Sequence, residues 1–516
     1  MNSSFSAGFD DQQVGILATI ADNRVALGAT AALGAAFVWY LATSSDKQIK
    51  TVRGWPLVGQ WEFFTRRYDF LLSNFQRLPS SSTMFRFSIL EHNLVAMRGE
   101  DARKNFFDRR ELSFNDGYSI LLGGVPVIKD LNVDDGSNKS DKEKGSDFLR
   151  CLTRLLRVER MRLVTPQIMA DIEHTVAKWG TRGQFNPFSD LYSLVVQLTI
   201  RTVGCREIAD STDLCKKMEK LYLQVEQGST AASLLLPWFP SQARKRKTAA
   251  TADIYVWLDN IIKARQKENR REEDALQDLI DSEGTTPTIV QTIMGSFFAG
   301  ITNTGLMAAW LLIFLDQVPE WREKVIEELQ ALLKKHAPLS DMYSSPAERF
   351  SAVPFEAWEN EMPVFENCLR ETIRLAFTLS ALRRVTQGDL ELGGERIRNG
   401  TFFVYPLSDT HQNPDIYPEP SKFNPGRFAE GQDKSQNHGF LGWGVGRHPC
   451  AGRRFAQFEI KAMLCMFLSS YDYQVINSKG VRPDPSTTVP DRNDSIQPRP
   501  KDEVFYVKYI KRDQPI

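Results

Sequence analysis

A glycine-rich loop around one cysteine holds the residue types in this chain best suited to metal chemistry. Residues 440–452 surround Cys450, Pro449 stiffens the loop before the thiol, and an apolar run from Arg453 to Leu468 predicts a following helix. The positive end of that helix would favour a thiolate, which can ligate iron and push electron density into a haem. A buried inert cysteine and a zinc ligand paired with His448 are the competing interpretations; no second ligand pair lies nearby in the sequence.

This loop resembles the haem-ligand signature of the cytochrome P-450 superfamily, aromatic-x-x-Gly-x-Arg/His-x-Cys-x-Gly. The matching residues are Trp443, Gly446, His448, Cys450 and Gly452. Trp replaces the usual Phe, and His replaces the commoner Arg, as in the branch that contains sterol demethylases. The resemblance implies haem b (iron protoporphyrin IX) with Cys450 as axial iron ligand, and cofactor contacts from Trp443, Gly446 and His448, the last facing a propionate.

Two further groups of basic residues are candidates for binding the haem propionates. In the sequence RRVTQGD, Arg384 lies five residues before Asp389 and matches the family arginine, with Arg383 as the competing assignment. The family usually supplies a Trp and an Arg from an earlier helix. The Trp is missing here, and Arg150 and Arg154 are candidates by helical position.

A structural ion network is implied by two more motifs. Glu371 and Arg374 lie three apart on one helical face, where they can pair, although such pairs are also common on surfaces. Together with Arg427 in Phe-Asn-Pro-Gly-Arg-Phe they resemble the family's Glu-x-x-Arg and Pro-x-Arg-Phe lock, which holds the cysteine loop beneath the haem.

The segment Ala-Gly-Ile-Thr-Asn-Thr departs from the family pattern on the helix above the iron. Gly300 leaves room for dioxygen, but Thr302 replaces the usual acid and Asn303 the usual alcohol of the pair that delivers protons; Thr304 could share this task. An amide can hold water but cannot ionise. The motif therefore weakens the case for a monooxygenase relative to an isomerase that rearranges peroxides. A helix kink without a catalytic role is a third interpretation.

The substrate pocket is assigned by family position, and several of its residues could equally pack the core. Most are apolar, so a lipophilic substrate with one or two polar handles is expected. The residues are Tyr118, Ile120, Phe297, Phe298, Ile301, Thr378, Leu379, Leu382 and Ile496.

The N-terminal region predicts a membrane anchor with the catalytic domain facing the cytoplasm, and the resemblance to microsomal family members implies the endoplasmic reticulum. We assign residues 1–24 to a luminal segment, 25–42 to a transmembrane anchor, 43–60 to a Pro/Gly hinge and 61–516 to the catalytic domain, with a polar insertion at 134–144. A cleaved signal peptide and a buried helix are the alternatives to the anchor.

The fold class predicted is mainly α with small β-sheets (α+β), the cytochrome P-450 fold. Thr83–Met97 predicts a hairpin, and Phe148–Gly204 a helical region interrupted at 181–185. Thr285–Leu315 carries no charge, but polar residues in its middle favour a central buried helix over a second membrane span. Val353–Leu375 predicts one further helix. In the family that the chain resembles, the region of the apolar loop 229–240 lies over the substrate channel and dips into the membrane, which implies a membrane-facing surface; a core segment is the alternative.

The function predicted is a monooxygenase that hydroxylates or epoxidises a lipophilic metabolite in fungal specialised (terpenoid, sterol or polyketide) biosynthesis. The resemblance implies electrons from NADPH through NADPH–cytochrome P-450 reductase, with cytochrome b5 as a further candidate partner, docking on Arg447, Arg453 and Arg454. A net charge of +0 argues against nucleic-acid binding, and six cysteines without paired spacing fit a reducing compartment. A reductase-independent isomerase or dehydratase and a non-catalytic haem or lipid binder are the alternatives.

Overall fold

The computed structural model describes residues 49–121, 131, 141–230, 233, 236, 239–282, 284–339, 343–494, 497–514 and 516. The predicted anchor, the luminal segment and Ile496 lie outside these residues, as do half of loop 229–240 and most of the polar insertion. The side chain of Ile120 is also outside the description.

Helices make up most of the described chain, as the hydrophobic periodicity predicts. The first group comprises α1 Glu62–Thr65, α2 Arg67–Gln76, α3 Glu100–Asp108, α4 Phe114–Leu121, α5 Asp141–Leu155, α6 Val158–Ala177, α7 Pro187–Val203, α8 Arg206–Ala209, α9 Thr212–Gln227 and α10 Gln242–Glu268. The second comprises α11 Ala275–Asp281, α12 Thr286–Gln317, α13 Pro319–His336, α14 Pro346–Ser351, α15 Phe355–Asn360, α16 Pro363–Ala376, α17 Ser408–His411, α18 Gly426–Ala429 and α19 Arg453–Ser470, with a 3₁₀ turn at Gln432–Lys434.

The strands form small sheets at the edge of the helical body. They are β1 Lys50–Thr51, β2 Met84–Ile89, β3 His92–Met97, β4 Leu112–Ser113, β5 Arg182–Phe185, β6 Ser380–Val385, β7 Leu390–Leu392, β8 Glu395–Ile397, β9 Phe402–Pro406, β10 Tyr471–Asn477 and β11 Phe505–Lys511. Within the described residues the largest sheet has the order β1-β2-β3-β9-β6-β4, and β10-β11-β5 and β7-β8 form two smaller ones. The mainly helical α+β fold is confirmed.

Local sequence signals set several of these boundaries. Ser211, Ser241 and Asp274 accept a backbone N–H from the first turns of α9, α10 and α11, which satisfies donors that a helix start leaves free. Pro363 splits the single helix predicted over Val353–Leu375 into α15 and α16, because proline lacks the N–H needed to continue a helix. The prediction of one helix there was wrong.

The segment assigned as a hinge is partly joined to the large sheet. Lys50 and Thr51 pair with β2, and Gly59 forms a bridge to Ile89. Similarly, α5 begins at Asp141 and takes up the last four residues of the predicted polar insertion. Residues assigned to the hinge and to the polar insertion therefore take part in the described secondary structure.

Helix α12 is the central element of the fold. It is long and apolar enough to cross a membrane, yet 78 % of its most apolar window is buried inside the protein. Its second half, including Trp310, packs in the main core with residues of α6, α7, α16 and α19. The prediction of a central buried helix is confirmed, and α12 provides a rigid wall against which a site can form.

Candidate active site

A cavity of about 1160 Å³ lies between the first half of α12 and the cysteine loop. It exceeds the ~300–1,000 Å³ of an ordinary ligand pocket, so it can hold a large cofactor together with a substrate. The wall contributed by α12 consists of Ser296, Ala299, Gly300, Asn303, Thr304 and Met307. The facing wall includes Trp443, His448 and Cys450 from the loop, and Phe455 and Ile460 from α19.

Close backbone contacts hold the cysteine loop in one conformation. The Cys450 N–H donates to the Trp443 carbonyl over 2.7 Å. Gly444 has φ +66°, and a Cβ there would lie 2.5 Å from the His448 carbonyl oxygen. Gly446 has φ +63°, and a Cβ would lie 2.5 Å from the Phe107 carbonyl oxygen. Since L side chains are unfavourable at both φ values and would clash, glycine is required at 444 and 446.

The exposed surface of Cys450 faces the cavity, where its thiol can meet a ligand. Burial raises the pKa of this thiol, whereas backbone N–H groups of Gly452 and Arg453 and the positive charge of Arg453 lower it. The N–H groups and the Arg453 charge that lower the pKa lie at the start of α19, where the helix dipole also favours an anion. Binding to a metal would complete the deprotonation, because a coordinated thiol loses its proton.

A cationic cluster forms one end of the cavity. Arg383 is 3 % exposed, and its guanidinium lies 4.9 Å from the Phe114 ring centroid. The His448 ring stacks on the other side of this cluster, with its centroid 5.1 Å from that of Phe114. Burial lowers the pKa of Arg383, and burial with the charges of Arg383 and Arg447 lowers the pKa of His448 to about 4. At neutral pH His448 is therefore a neutral hydrogen-bonding group beside a buried cation.

The structure favours Arg383 over Arg384 as the cavity arginine. Successive residues of β6 face opposite sides of the sheet, and Arg383 lines the cavity. Arg384 instead donates to the Gly400 carbonyl over 3.2 Å and lies over the Phe402 ring. The structure therefore places Arg383, and not the predicted Arg384, on the cavity wall.

Arg150 and Arg154 do not reach the cavity either. The face of α5 that lines it carries Leu149, Leu152 and Leu156. The Arg150 side chain is 77 % exposed and lies 3.4 Å from Asp147, whereas Arg154 donates to Ser282 over 2.6 Å. Both arginines therefore lie on other faces of α5 and do not line the cavity to which the sequence assigned them.

The cavity-lining face of α12 differs from the one predicted for the substrate pocket. Gly300, Asn303 and Thr304 line the cavity, whereas Thr302 does not line it and donates to Glu226 on α9 over 2.7 Å. Phe297 and Ile301 pack in the core between α9, α10 and α12, with Phe298 packed partly against it. Those three residues do not line the cavity, because small and polar residues occupy that face instead.

The remaining pocket residues divide between the cavity and the core. Tyr118 and Leu379 line the cavity. Leu382 packs in the core beneath the large sheet, and Thr378 hydrogen-bonds the Arg492 carbonyl at 3.5 Å. Residues that the sequence did not indicate complete the wall, among them Phe148 and Thr199.

The predicted lock forms, and it is fully buried. Glu371 accepts bonds from Arg374 over 2.7 and 2.8 Å, from Arg427 over 3.0 Å and from the Asn424 N–H over 2.9 Å. Arg374 and Arg427 also donate to carbonyls of the meander before the cysteine loop, including that of Pro418 at 3.0 Å. With every charge paired and hydrogen-bonded, this network fastens α16 to the meander.

Two buried residues that the sequence did not indicate extend this support. His411 accepts from the Leu441 N–H over 3.0 Å, and burial together with Arg374 and Arg103 lowers its pKa to about 3. Arg103 on α3 donates to the Asn437 carbonyl over 2.8 Å. Neither lies in a recognisable motif, because its partners are far away in the sequence.

The surface behind the cysteine loop is less basic than predicted. Arg454 is paired with Glu359, with one contact at 2.7 Å, and Arg453 lies 3.8 Å from Glu366. Arg447 lines the cavity. The three arginines thus do not form one continuous unpaired cationic surface.

Comparison with known proteins agrees with this geometry. The sequence profile of the family described as Cytochrome P450 matches residues 50–500. The chain belongs to the cytochrome P450 family. It is 27% identical over 89% of its length, and 92% of the relative's, to "Cytochrome P450 monooxygenase AacuE" of Aspergillus aculeatus. It is 24% identical over 83% of its length, and 92% of the relative's, to "Obtusifoliol 14-alpha demethylase" of Triticum aestivum.

A solved structure shows the same fold. "Retinoic acid bound cyanobacterial CYP120A1" superimposes with a TM-score of 0.70 at 20% identity, covering 90% of this chain and 99% of that chain. This P450 is therefore a monooxygenase of the typical helical architecture. Membership implies a haem-thiolate cofactor.

The residues present fit that cofactor. Cys450 supplies a thiol in one wall of the cavity. On the opposite wall, Ala299 and Gly300 have small side chains or none, which leaves room for a large cofactor. Within the part of the chain that the structure describes, buried Arg383 hydrogen-bonds its neighbour's carbonyl at 2.8 Å but has no carboxylate partner. A buried cation without a counter-charge is costly, so a propionate beside Arg383 and His448 would stabilise this end of the cavity.

We expect Arg383→Ala to weaken haem retention, whereas Arg384→Ala leaves it close to wild type. A charge-assisted bond in a partly desolvated site contributes roughly 1.5–3 kcal/mol, or about ten- to a hundred-fold in affinity. The measurement is haem transfer to an excess acceptor protein, followed by absorption. Equal losses in both neighbours would contradict the assignment.

Proposed function

We propose that this P450 inserts one oxygen atom into a lipophilic small molecule, by hydroxylation or epoxidation, in fungal specialised biosynthesis. The observation that carries the proposal is one cavity with Cys450 on one wall and Asn303 and Thr304 on the other. Relatives described as monooxygenases from Aspergillus aculeatus and Aspergillus novofumigatus support the fungal setting. A terpenoid, a sterol or a polyketide would suit the apolar wall.

The residues of the two walls have distinct roles in this proposal. A thiolate-ligated haem, when bound, supplies reductive activation of dioxygen. Backbone N–H groups at the start of α19 stabilise the Cys450 thiolate, and His448 and Arg383 orient the cofactor by its carboxylates. Gly300 would leave space for dioxygen beside a bound haem, while the Asn303 amide would hold water and the Thr304 hydroxyl would pass protons.

Electrons come from outside the chain in this proposal. NADPH would deliver them through NADPH–cytochrome P-450 reductase, with cytochrome b5 as a further candidate. Because Arg453 and Arg454 have carboxylate neighbours, the docking face would combine both charge signs rather than rely on a basic patch alone.

Membrane attachment is part of the same proposal. Residues 25–42 would anchor the protein in the endoplasmic reticulum with the catalytic domain in the cytoplasm. Just after this segment, Trp55 is 76% and Leu57 80% exposed. Large exposed apolar side chains that are close together in the sequence fit a contact with lipid or protein.

A spectral screen followed by turnover tests the proposal. Candidate lipophiles are added to the purified haem protein, and those that shift its absorption are incubated with reductase and NADPH. We expect an oxygenated product that requires both. Efficient conversion of a lipid hydroperoxide without NADPH or reductase, with no NADPH-dependent product, would instead identify a reductase-independent isomerase.

Asn303→Ala is expected to raise the hydrogen peroxide released per NADPH consumed, because water on the cavity side of α12 loses its amide partner. We expect roughly a several-fold to ten-fold increase, below the ~10²–10⁴ of a full general acid, since Thr304 remains. Peroxide and product are measured against NADPH consumption. Thr292→Ala on the same helix, whose hydroxyl donates to the Thr288 carbonyl over 2.8 Å, is the control. Unchanged coupling in Asn303→Ala would remove Asn303 from proton delivery.

A further inference from the structure

A buried carboxyl group on a neighbouring helix contacts the segment of α12 from which the usual acid is missing. Glu226, on α9, is 7 % exposed. One of its oxygens accepts from the Thr302 hydroxyl over 2.7 Å, and the other accepts from the Gln497 amide over 2.7 Å. Thr302 occupies the acid position of the family motif and directly precedes Asn303, which lines the cavity.

We propose that Glu226 is the carboxyl group that supplies protons to the cavity side of α12. It would do so through the hydroxyl of Thr302. The acid is thus provided by the facing helix instead of by α12 itself. This inference rests on the proposed monooxygenase function, and it adds a proton-supplying residue that lies outside the cavity and outside every motif of the sequence.

The surroundings of Glu226 suit a group that exchanges a proton. The Tyr222 hydroxyl lies 3.5 Å from the Thr302 hydroxyl. The Tyr192 hydroxyl lies near Thr302 and Glu226 but makes no hydrogen bond of normal geometry to either. Burial raises the pKa of Glu226, while its hydrogen bond to Thr302 and the charge of Arg499 lower it. The carboxyl group is therefore protonated to higher pH than an exposed glutamate, but a cation nearby still allows it to ionise.

The proton balance defines what this residue must do. Hydroxylation consumes one dioxygen, two electrons from NADPH and two protons, and it yields one water with the oxygenated product. In this structure the Thr302 hydroxyl donates to Glu226, so the relay requires the two groups to exchange roles. Protonated Glu226 would donate to the Thr302 oxygen, and the Thr302 hydroxyl, which can rotate, would release its own proton toward water beside Asn303. The Glu226 carboxylate then takes a proton from solvent. When the proton arrives late, reduced oxygen leaves as hydrogen peroxide.

Gln497 links the carboxyl group to the C-terminal segment. Its amide donates to Glu226, so the orientation of the carboxyl group depends on α9, α12 and the segment around residue 497 together. A purely structural network would also join these elements. The test therefore needs measurements that a structural role would leave unchanged.

We expect Glu226→Gln to keep fold and haem but to lower product per NADPH by about ten-fold or more, with a matching rise in peroxide. The variant should also lose the pH dependence of coupling that the wild type shows and have a larger solvent deuterium isotope effect. Glu219→Gln is the matched control: Glu219 lies two turns earlier on α9, half-buried, and accepts from Ser193 over 2.8 Å. Wild-type coupling, pH profile and isotope effect in Glu226→Gln would overturn the proposal.

An infrared pH titration gives a readout that does not depend on turnover. The difference spectrum of wild type minus Glu226→Gln should show a protonated-carboxyl band that persists above the ordinary glutamate pKa of ~4.3. Other buried carboxyl groups, such as Glu459, whose pKa burial also raises, cancel in this difference. Should Glu226→Gln not fold, Thr302→Val is used, and it should shift this band and uncouple turnover. A difference spectrum without such a band would contradict the proposal for Glu226. A wild type that oxidises no NADPH with any binding lipophile would instead contradict the proposed function.

Discussion

A Cys450→Ser variant is expected to lose the thiolate-type absorption band of the reduced carbon-monoxide complex completely. Serine keeps the size of the side chain, but its hydroxyl is far less acidic and does not push electron density into the haem as a thiolate does. Activity should fall with the band, below detection. Absorption spectra of the reduced protein, with and without carbon monoxide, measure this directly.

Cys151→Ser provides the matched control for this change. Cys151 lies on α5 and is partly exposed, whereas the other free cysteines of the described chain, apart from Cys450, are buried. The control should retain the wild-type band. A thiolate-type band that survives in Cys450→Ser would assign the axial ligand to another cysteine and remove the basis of the proposed chemistry.

Motifs with short-range causes could be predicted from the sequence. The cysteine loop needs glycine at 444 because of its positive φ and the close approach of the His448 carbonyl within the same loop. The Glu371–Arg374 pair depends on the three-residue spacing of a helix. In both cases the residue types and their spacing already determine the contact.

The existence of helix α12 was easier to predict than which of its faces lines the cavity. The sequence shows that α12 is buried on nearly all sides, so its hydrophobic pattern does not indicate which side faces a cavity. Apolar Phe297 and Ile301 were assigned to the pocket, but they pack against α9 and α10. The cavity side carries Ser296, Gly300 and Asn303, whose small or polar side chains leave room for a ligand.

The remaining differences between the sequence-based predictions and the structure arise from strand pairing and from contacts between residues far apart in the sequence. Arg383 and Arg384 are adjacent, and only the pairing of β6 with β9 and β4 decides which one faces the cavity. Thr302 and Glu226 are separated by 76 residues. No local pattern predicts such a contact, because it depends on how α9 crosses α12.

Arg427→Ala is expected to cause the largest structural loss. Arg427 is almost fully buried, with its side chain 2% exposed, and it donates to Glu371, to the Pro418 carbonyl and to Gln432, each over 3.0 Å. Breaking a buried ion network costs ~3–5 kcal/mol, a large share of a typical total stability of ~5–15 kcal/mol. The variant should express poorly and lose haem, as measured by denaturant unfolding and by the ratio of haem to protein absorbance.

Two variants separate the lost network from the lost charge. Arg396→Ala removes an exposed arginine that pairs with Asp389 and should change the free energy of unfolding by less than about 1 kcal/mol. Arg427→Lys keeps the charge but cannot reproduce three differently directed donors, so its loss should be intermediate. A soluble, haem-replete Arg427→Ala protein with only a lower turnover rate would contradict the structural role. The lock would then act on the chemistry rather than on the position of the cysteine loop.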